Sequence, residues 1–386
     1  MYLLPKPKTI KEQDGQMLLC HSTHIVMTKE VAETEMHAAK RLQEAIRQET
    51  GLILPFSVGE VREGDLSLGI AKTLPEQTYE ITIDEKGGQI SGGDGAGVLY
   101  GVETFCQIVQ QCGGILPCVQ IQDAPDMPNR GYYFDQTRGR VLKLEELKKI
   151  ADRMCRYKLN QLQLYVEHTY LFRDFSEMWR DQTPLTAEEI LELDSYCRER
   201  HIELVPSLAS FGHLCTLLST KTYGDLCEME DSWKEPFSFW NRMRYHTINV
   251  SDERSLPLIK KVIAEYMQLF SSNKFNICAD ETFCLGKYKS KKLAEERGVH
   301  RLYIDYVKEL AQFLVENGKI PMFWGDIIWN SPELMKELPE SMICLNWGYA
   351  PEQREDETRA IEQTGAVITA HYADHNLTAE RCKPVQ

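Results

Sequence analysis

From residue 130 onward the chain repeats one pattern: a short run of β-branched, aromatic and aliphatic residues, then an amphipathic segment of helical period. Such alternation is the signature of βα units, and the crossover rule makes their successive strands parallel. GYYFDQ (131–136) leads into LKLEELKKIADRMCRYKL, NQLQLYVEH (160–168) reaches LTAEEILELDSYCRERH after a loop, and IELVPSLASFGH (202–213) comes third. A long polar and aromatic insertion precedes LPLIKKVIAEYMQLF and KFNICADE (274–281). Then follow RLYIDYVKELAQFLVENGK, IPMFWGDIIW (320–329), SMICLNWGY (341–349) and AVITAHYAD (366–374). The seven candidate strands predict an α/β fold, a (β/α)8 TIM-type barrel. Closure needs an eighth strand, for which the dozen residues after Asp374 are too few. The expectation is a barrel incomplete at its C-terminal end in this chain, whose unpaired edges invite association with another copy into a homo-oligomer.

Residues 1–128 read differently. Strands such as HIVMT and TYEITIDEKGGQISGG mix with helical stretches at AETEMHAAKRLQEAIRQETG and GVLYGVETFCQIVQQC, which predicts a small α+β domain ahead of a barrel domain at 129–386. The GGDGAG stretch has the glycine content of a phosphate-cradling loop. It lacks Gly-Lys-Ser/Thr and the full GxGxxG spacing, and a strand-to-helix turn needs glycine in any case, so the turn is the preferred reading.

Composition narrows the partners. A formal net charge of -14 repels nucleic-acid phosphates and anionic membrane surfaces, and no apolar run is long enough to span a bilayer. The twelve cysteines contain no CxxC pair, and Cys106, Cys112 and Cys118 are each separated by five intervening residues, which fits neither a metal site nor a disulfide framework. Free buried thiols and the lack of a signal sequence predict a cytoplasmic protein.

In a βα barrel the C-terminal strand ends carry the chemistry. Here they bring Asp135 and Arg138, Glu167 and His168, His213, Asp280 and Glu281, Trp324 and Asp326, Trp347 and Tyr349, and Tyr372 and Asp374. Taken singly, each has an ordinary explanation. Asp280 could cap a helix, the aromatic residues could be packing, and Arg138 could be a loop charge. Collected at one end of successive strands, they form a rim of carboxylates, one arginine, one histidine and indoles that suits a small carbohydrate.

Several motifs then resemble family-20 glycoside hydrolases, the β-N-acetylhexosaminidases. The Gly-x-x-Tyr-Gly-x-x-Thr-x-x-Gln pattern that closes that family's pre-barrel domain is present as Gly97, Tyr100, Gly101, Thr104 and Gln107. PCVQIQDAPDMPNRGYYFDQTR resembles the passage into its barrel, and CADE its acidic pair on strand four. The usual His-x-Gly-Gly-Asp-Glu reads Asn276-Ile-Cys-Ala-Asp-Glu, which resembles a branch of intracellular N-acetylglucosaminidases. The resemblance implies Asp280 and Glu281 as catalytic residues, with Arg138, His213, Trp324, Trp347, Tyr372 and Asp374 binding the sugar. It implies a retaining exo-hydrolase in which the substrate's own acetamido carbonyl attacks C1 to form an oxazolinium ion. Asp280 would orient the acetamido group, and Glu281 would act as acid and then as base. Two rivals stay open: a glycan-binding protein without catalysis, and a glycosidase with a protein nucleophile in which Glu281 works with Asp326 or Glu167. The choice between GlcNAc and GalNAc stays open too.

Overall fold

The computed structural model describes residues 1–347 and divides the chain into two compact units. The first comprises Met1–Gly131 with Glu145–Gln161 and Ser195–Glu203; the second comprises Tyr132–Leu144, Leu162–Asp194 and the chain from Leu204 on.

The first unit is built on a seven-stranded mixed sheet. Its strands are β1 (Thr9–Leu18), β2 (Ile25–Met27), β3 (Phe56–Val58), β4 (Leu66–Ile70), β5 (Tyr79–Asp84), β6 (Gly87–Gly92) and β7 (Ile115–Asp123), in the order β1-β7-β5-β6-β4-β2-β3. Strand β5 alternates buried Tyr79, Ile81 and Ile83 with partly open neighbours, the period-2 pattern of a sheet covered on one face. The helix Met36–Thr50 buries Ala38, Ala39, Leu42 and Ile46 and stops at Gly51, whose φ of 75° provides the left-handed cap. GGDGAG is the turn from β6 into the helix Gly95–Cys112, and Asp94 caps that helix by accepting the Gly97 N–H at 2.8 Å. Glycine is required there by close approach. A Cβ on Gly93 would lie 1.9 Å from the Pro75 carbonyl oxygen, and one on Gly97 2.2 Å from that of Thr78.

The second unit carries a sheet of six strands: β8 (Gly131–Asp135), β9 (Gln161–Val166), β10 (Glu203–Leu208), β11 (Lys274–Asn276), β12 (Ile320–Trp324) and β13 (Ile343–Leu345). Each lies beside its sequence neighbour, and the pairs β10–β11, β11–β12 and β12–β13 are parallel. This is a partial TIM barrel. Strand β9 is buried at all six positions, as expected of a parallel strand covered on both faces. The helix Val299–Glu316 covers the sheet with Leu302, Tyr303, Tyr306, Val307, Leu310 and Leu314, a stripe at helical spacing. Each large aliphatic side chain so buried contributes roughly 1.5–3 kcal/mol. The predicted seventh strand, 366–374, lies outside the described residues.

The fourth barrel strand is shorter than KFNICADE suggests, because regular β11 ends at Asn276 and only Ile277 and Cys278 beyond it still hydrogen-bond to β12, at Met322 and Trp324. Among the described residues, no helix is long and apolar enough to cross a membrane.

Candidate active site

The segment Ile277–Glu281 sets the site's geometry. Cys278, Ala279 and Glu281 have φ values of 58°, 64° and 49°, in the left-handed region, where each non-glycine residue costs about 1 kcal/mol or more. Surrounding groups hold this backbone in place. The Asn276 side chain accepts the Cys278 N–H at 2.9 Å, and the Ser210 hydroxyl donates to the Ile277 carbonyl at 2.6 Å. The Trp324 N–H donates to the Cys278 carbonyl at 2.8 Å, and the Tyr303 hydroxyl to the Ala279 carbonyl at 3.0 Å. The Glu281 N–H donates to Asp326 Oδ2 at 3.1 Å. In a regular strand consecutive side chains would face opposite sides; the twisted backbone lets Asp280 and Glu281 reach a common partner.

That partner is His213. Its Nε2 lies 3.5 Å from Asp280 Oδ2 and 3.3 Å from Glu281 Oε2, with the ring almost fully enclosed. Gly212 makes the approach possible, since a Cβ there would sit 2.7 Å from the Asp280 carbonyl oxygen. Burial disfavours a charged imidazole, yet Asp280, Glu281 and Glu167 outweigh it and raise the His213 pKa to about 10. Burial likewise favours neutral Asp280, but the imidazolium beside it prevails and lowers its pKa. Burial and the charge of Asp280 push the Asp326 carboxyl the other way, up to about 8. Four acids and a histidine thus share one charge network, which favours the ionised form of Asp280 and the protonated form of Asp326.

Asp280 and Glu281 open into a cavity of about 330 Å³ floored by Tyr133, Tyr165 and Trp324, with Arg138 and Trp347 also in its wall. Tyr133 meets Trp324 edge to face at 5.2 Å and shares a hydrogen bond with Ser207 at 2.9 Å. Arg138 is fixed over the Tyr165 ring, 4.8 Å from its centre, and its Nε donates to Asp135 at 2.6 Å. Among the described residues, Asp280 Oδ1, Asp326 Oδ1 and His213 Nδ1 are buried without a hydrogen-bond partner, a concentration typical of a site that binds something polar.

The strand-end residues therefore separate into groups. Arg138, His213, Asp280, Glu281, Trp324 and Trp347 come together. Asp135 and Glu167 stand behind Arg138, with Glu167 accepting from Arg242 at 2.9 Å and from the Tyr165 hydroxyl at 3.0 Å. His168 is buried outside the cavity wall, and burial lowers its pKa. Tyr349, Tyr372 and Asp374 lie outside the described residues. Asp280 caps no helix, for the next one begins only at Lys291. The sequence reading missed the opposite wall, which comes from the insertion: Phe239, Trp240, Met243 and Arg244 all line the cavity from the helix Phe239–Arg244. A signal was present, since Trp233, Phe237, Phe239 and Trp240 put four large aromatics into eight residues. Among the described residues, no cluster of histidine, cysteine and carboxylate groups could hold a metal ion.

Comparison with known proteins now decides the family. Residues 1–124 match the family model for domain 2 of glycosyl hydrolase family 20, and residues 128–383 match that for its catalytic domain. The chain belongs to glycosyl hydrolase family 20. It is 24% identical over 412 residues to a β-hexosaminidase of Porphyromonas gingivalis, covering 96% of this chain and 51% of that protein. It is 26% identical over 310 residues to a β-hexosaminidase of Vibrio furnissii, covering 72% and 48%. The chain thus spans about half the length of these curated relatives. Among solved structures it is similar in fold to a Bacteroides fragilis β-N-acetylhexosaminidase (TM-score 0.76, 19% identity, covering 95% of this chain and 74% of that one). The Streptomyces plicatus β-hexosaminidase is similar to the same degree (TM-score 0.78, 19% identity, 95% and 73%). The family-20 fold expected from the sequence is borne out.

Proposed function

We propose that this family-20 chain is a retaining, exo-acting β-N-acetylhexosaminidase that removes terminal 2-acetamido sugars by substrate-assisted catalysis. One observation carries the reading: two consecutive carboxylates, turned by left-handed backbone onto one buried imidazole, open into a single aromatic-floored cavity. The β-hexosaminidase relatives supply the substrate class.

Each group then has a role. Asp280, kept ionised by the His213 imidazolium, accepts the acetamido N–H, turns the carbonyl oxygen toward C1 and stabilises the positive charge that develops on the ring being formed. The acetamido oxygen bonds to C1 as the glycosidic C–O bond breaks. Glu281 gives its proton to the departing oxygen, then takes one from the water that opens the oxazolinium ion. Arg138 donates to sugar hydroxyls, and the aromatic floor stacks on the sugar's apolar face. With the acetamido group as nucleophile, the protein needs none of its own.

A protein nucleophile is disfavoured on two grounds. Burial and the charge of Asp280 raise the Asp326 pKa to about 8, which favours its protonated, poorly nucleophilic form. Both Glu167 oxygens are occupied, by Arg242 and Tyr165.

Glu281→Gln tests the reading. It should lower kcat on natural glycosides by about 10²–10⁴-fold, with partial recovery on dinitrophenyl glycosides, whose leaving group needs no proton. Unchanged turnover on natural glycosides would refute it.

A further inference from the structure

We infer that the helix Phe239–Arg244 is an acceptor-side platform on which the second sugar ring of the substrate stacks, making Trp240 a determinant of oligosaccharide specificity; this rests on the hexosaminidase reading. The cavity has two unlike walls. Its floor, around Tyr165, Trp324 and the acidic pair, is largely buried. Its mouth is formed by Phe239, Trp240 and Phe283, which leave 56%, 63% and 40% of their surface in water. Large aromatics exposed side by side at a pocket mouth mark a surface that a ligand covers.

Three observations fix the occupant as a sugar joined to the one in the floor. The platform is continuous with the floor, since the same cavity touches both Trp240 and the carboxylates. The Arg244 guanidinium lies over one face of the Trp240 ring, 5.2 Å from its centre, and an indole with N–H donors on one side and its remaining surface open to water suits a pyranose better than an alkyl chain. The platform is also anchored to the floor. Arg242 donates to buried Glu167 at 2.9 Å, and Arg138, which faces the first sugar, reaches the Met243 sulfur at 3.3 Å. Ser238 starts the helix by accepting the Asn241 N–H at 3.0 Å, so the ring positions are set by capping and anchoring, not by burial of the rings themselves.

The test compares Trp240→Ala with the wild-type full chain on three β-N-acetylglucosaminides: methyl, which ends at the donor; octyl, which adds an apolar tail; and N,N′-diacetylchitobiose, which adds a sugar. Trp240 is exposed, so its removal spares the core. The expected result is a roughly tenfold loss of kcat/KM on the disaccharide, mostly in KM, with the methyl glycoside and the Ki of an N-acetylglucosamine-thiazoline changed by less than about twofold. Equal losses on the disaccharide and the methyl glycoside would place Trp240 in donor binding and overturn the platform. A loss on the octyl glycoside alone would make the aglycone apolar and overturn the sugar assignment. A wild-type chain that hydrolyses none of the three and does not bind the thiazoline would refute the hexosaminidase reading itself.

Discussion

Two turns in this molecule follow a strand, one crowded by neighbouring carbonyls and the other left-handed in its backbone, and they are built differently. At the end of β6 the chain uses glycine: Gly93 and Gly97 sit where any Cβ would collide with a carbonyl oxygen, and the turn does no more than deliver a helix to the sheet. Beyond β11 it uses cysteine, alanine and glutamate in left-handed conformations and holds them with hydrogen bonds donated by Ser210, Tyr303 and Trp324 and accepted by Asn276 and Asp326. The contrast teaches where strain is tolerated. A position needing only room becomes glycine, whereas the left-handed stretch that delivers the Asp280–Glu281 pair keeps its side chains and is held by its neighbours.

If that distinction is right, a methyl group added against the acidic turn should act differently from one added at the turn after β6. Gly212→Ala, on the loop facing Asp280, has to push the backbones apart and displace His213 from the acidic pair. Kinetics on a nitrophenyl acetamido-glycoside should show a fall in kcat/KM of about 10²-fold, since misplacement near 1 Å costs that much. Gly97→Ala should instead lower unfolding stability by about 1–3 kcal/mol through overpacking, while kcat and KM per folded molecule stay unchanged. If Gly97→Ala lost activity without losing stability, or Gly212→Ala the reverse, the distinction would fail.

The smallest effect sharpens the electrostatic half of the contrast. His213 has its pKa raised in the fold from 6.5 to about 10, so its charge is worth more folded than unfolded. For a group with a raised pKa that stabilisation is complete below pH 6.5 and is lost as the pH climbs toward 10. Melting temperature should therefore decline over that interval, and His213→Gln should flatten the decline. An identical slope in the variant would show that the imidazole does not carry the charge assigned to it.

Much of this was readable in the chain itself. Barrel strands such as LQLYV are buried on both faces, so they stand out as unbroken apolar runs, and CADE marked the acidic pair by its place at a strand end. Two features were not readable, and a third left only a cluster of aromatics as its signal. The left-handed conformation at Cys278, Ala279 and Glu281 is imposed by residues distant in sequence, among them Ser210 and Tyr303, and leaves no local glycine signal. The shift at Asp326 depends on Asp280 lying nearby once both are folded. The wall from Phe239–Arg244 belongs to a helix of six residues, too short to show a hydrophobic period.

Substrate-assisted attack is tested most directly by weakening the nucleophile within the substrate. Nitrophenyl β-glucosaminides carrying N-acetyl, N-fluoroacetyl, N-difluoroacetyl and N-trifluoroacetyl groups share one leaving group but have progressively poorer carbonyl nucleophiles. If the acetamido oxygen attacks C1 under the guidance of Asp280, kcat/KM must fall steeply with each added fluorine. A flat series would mean that a group on the protein makes the bond.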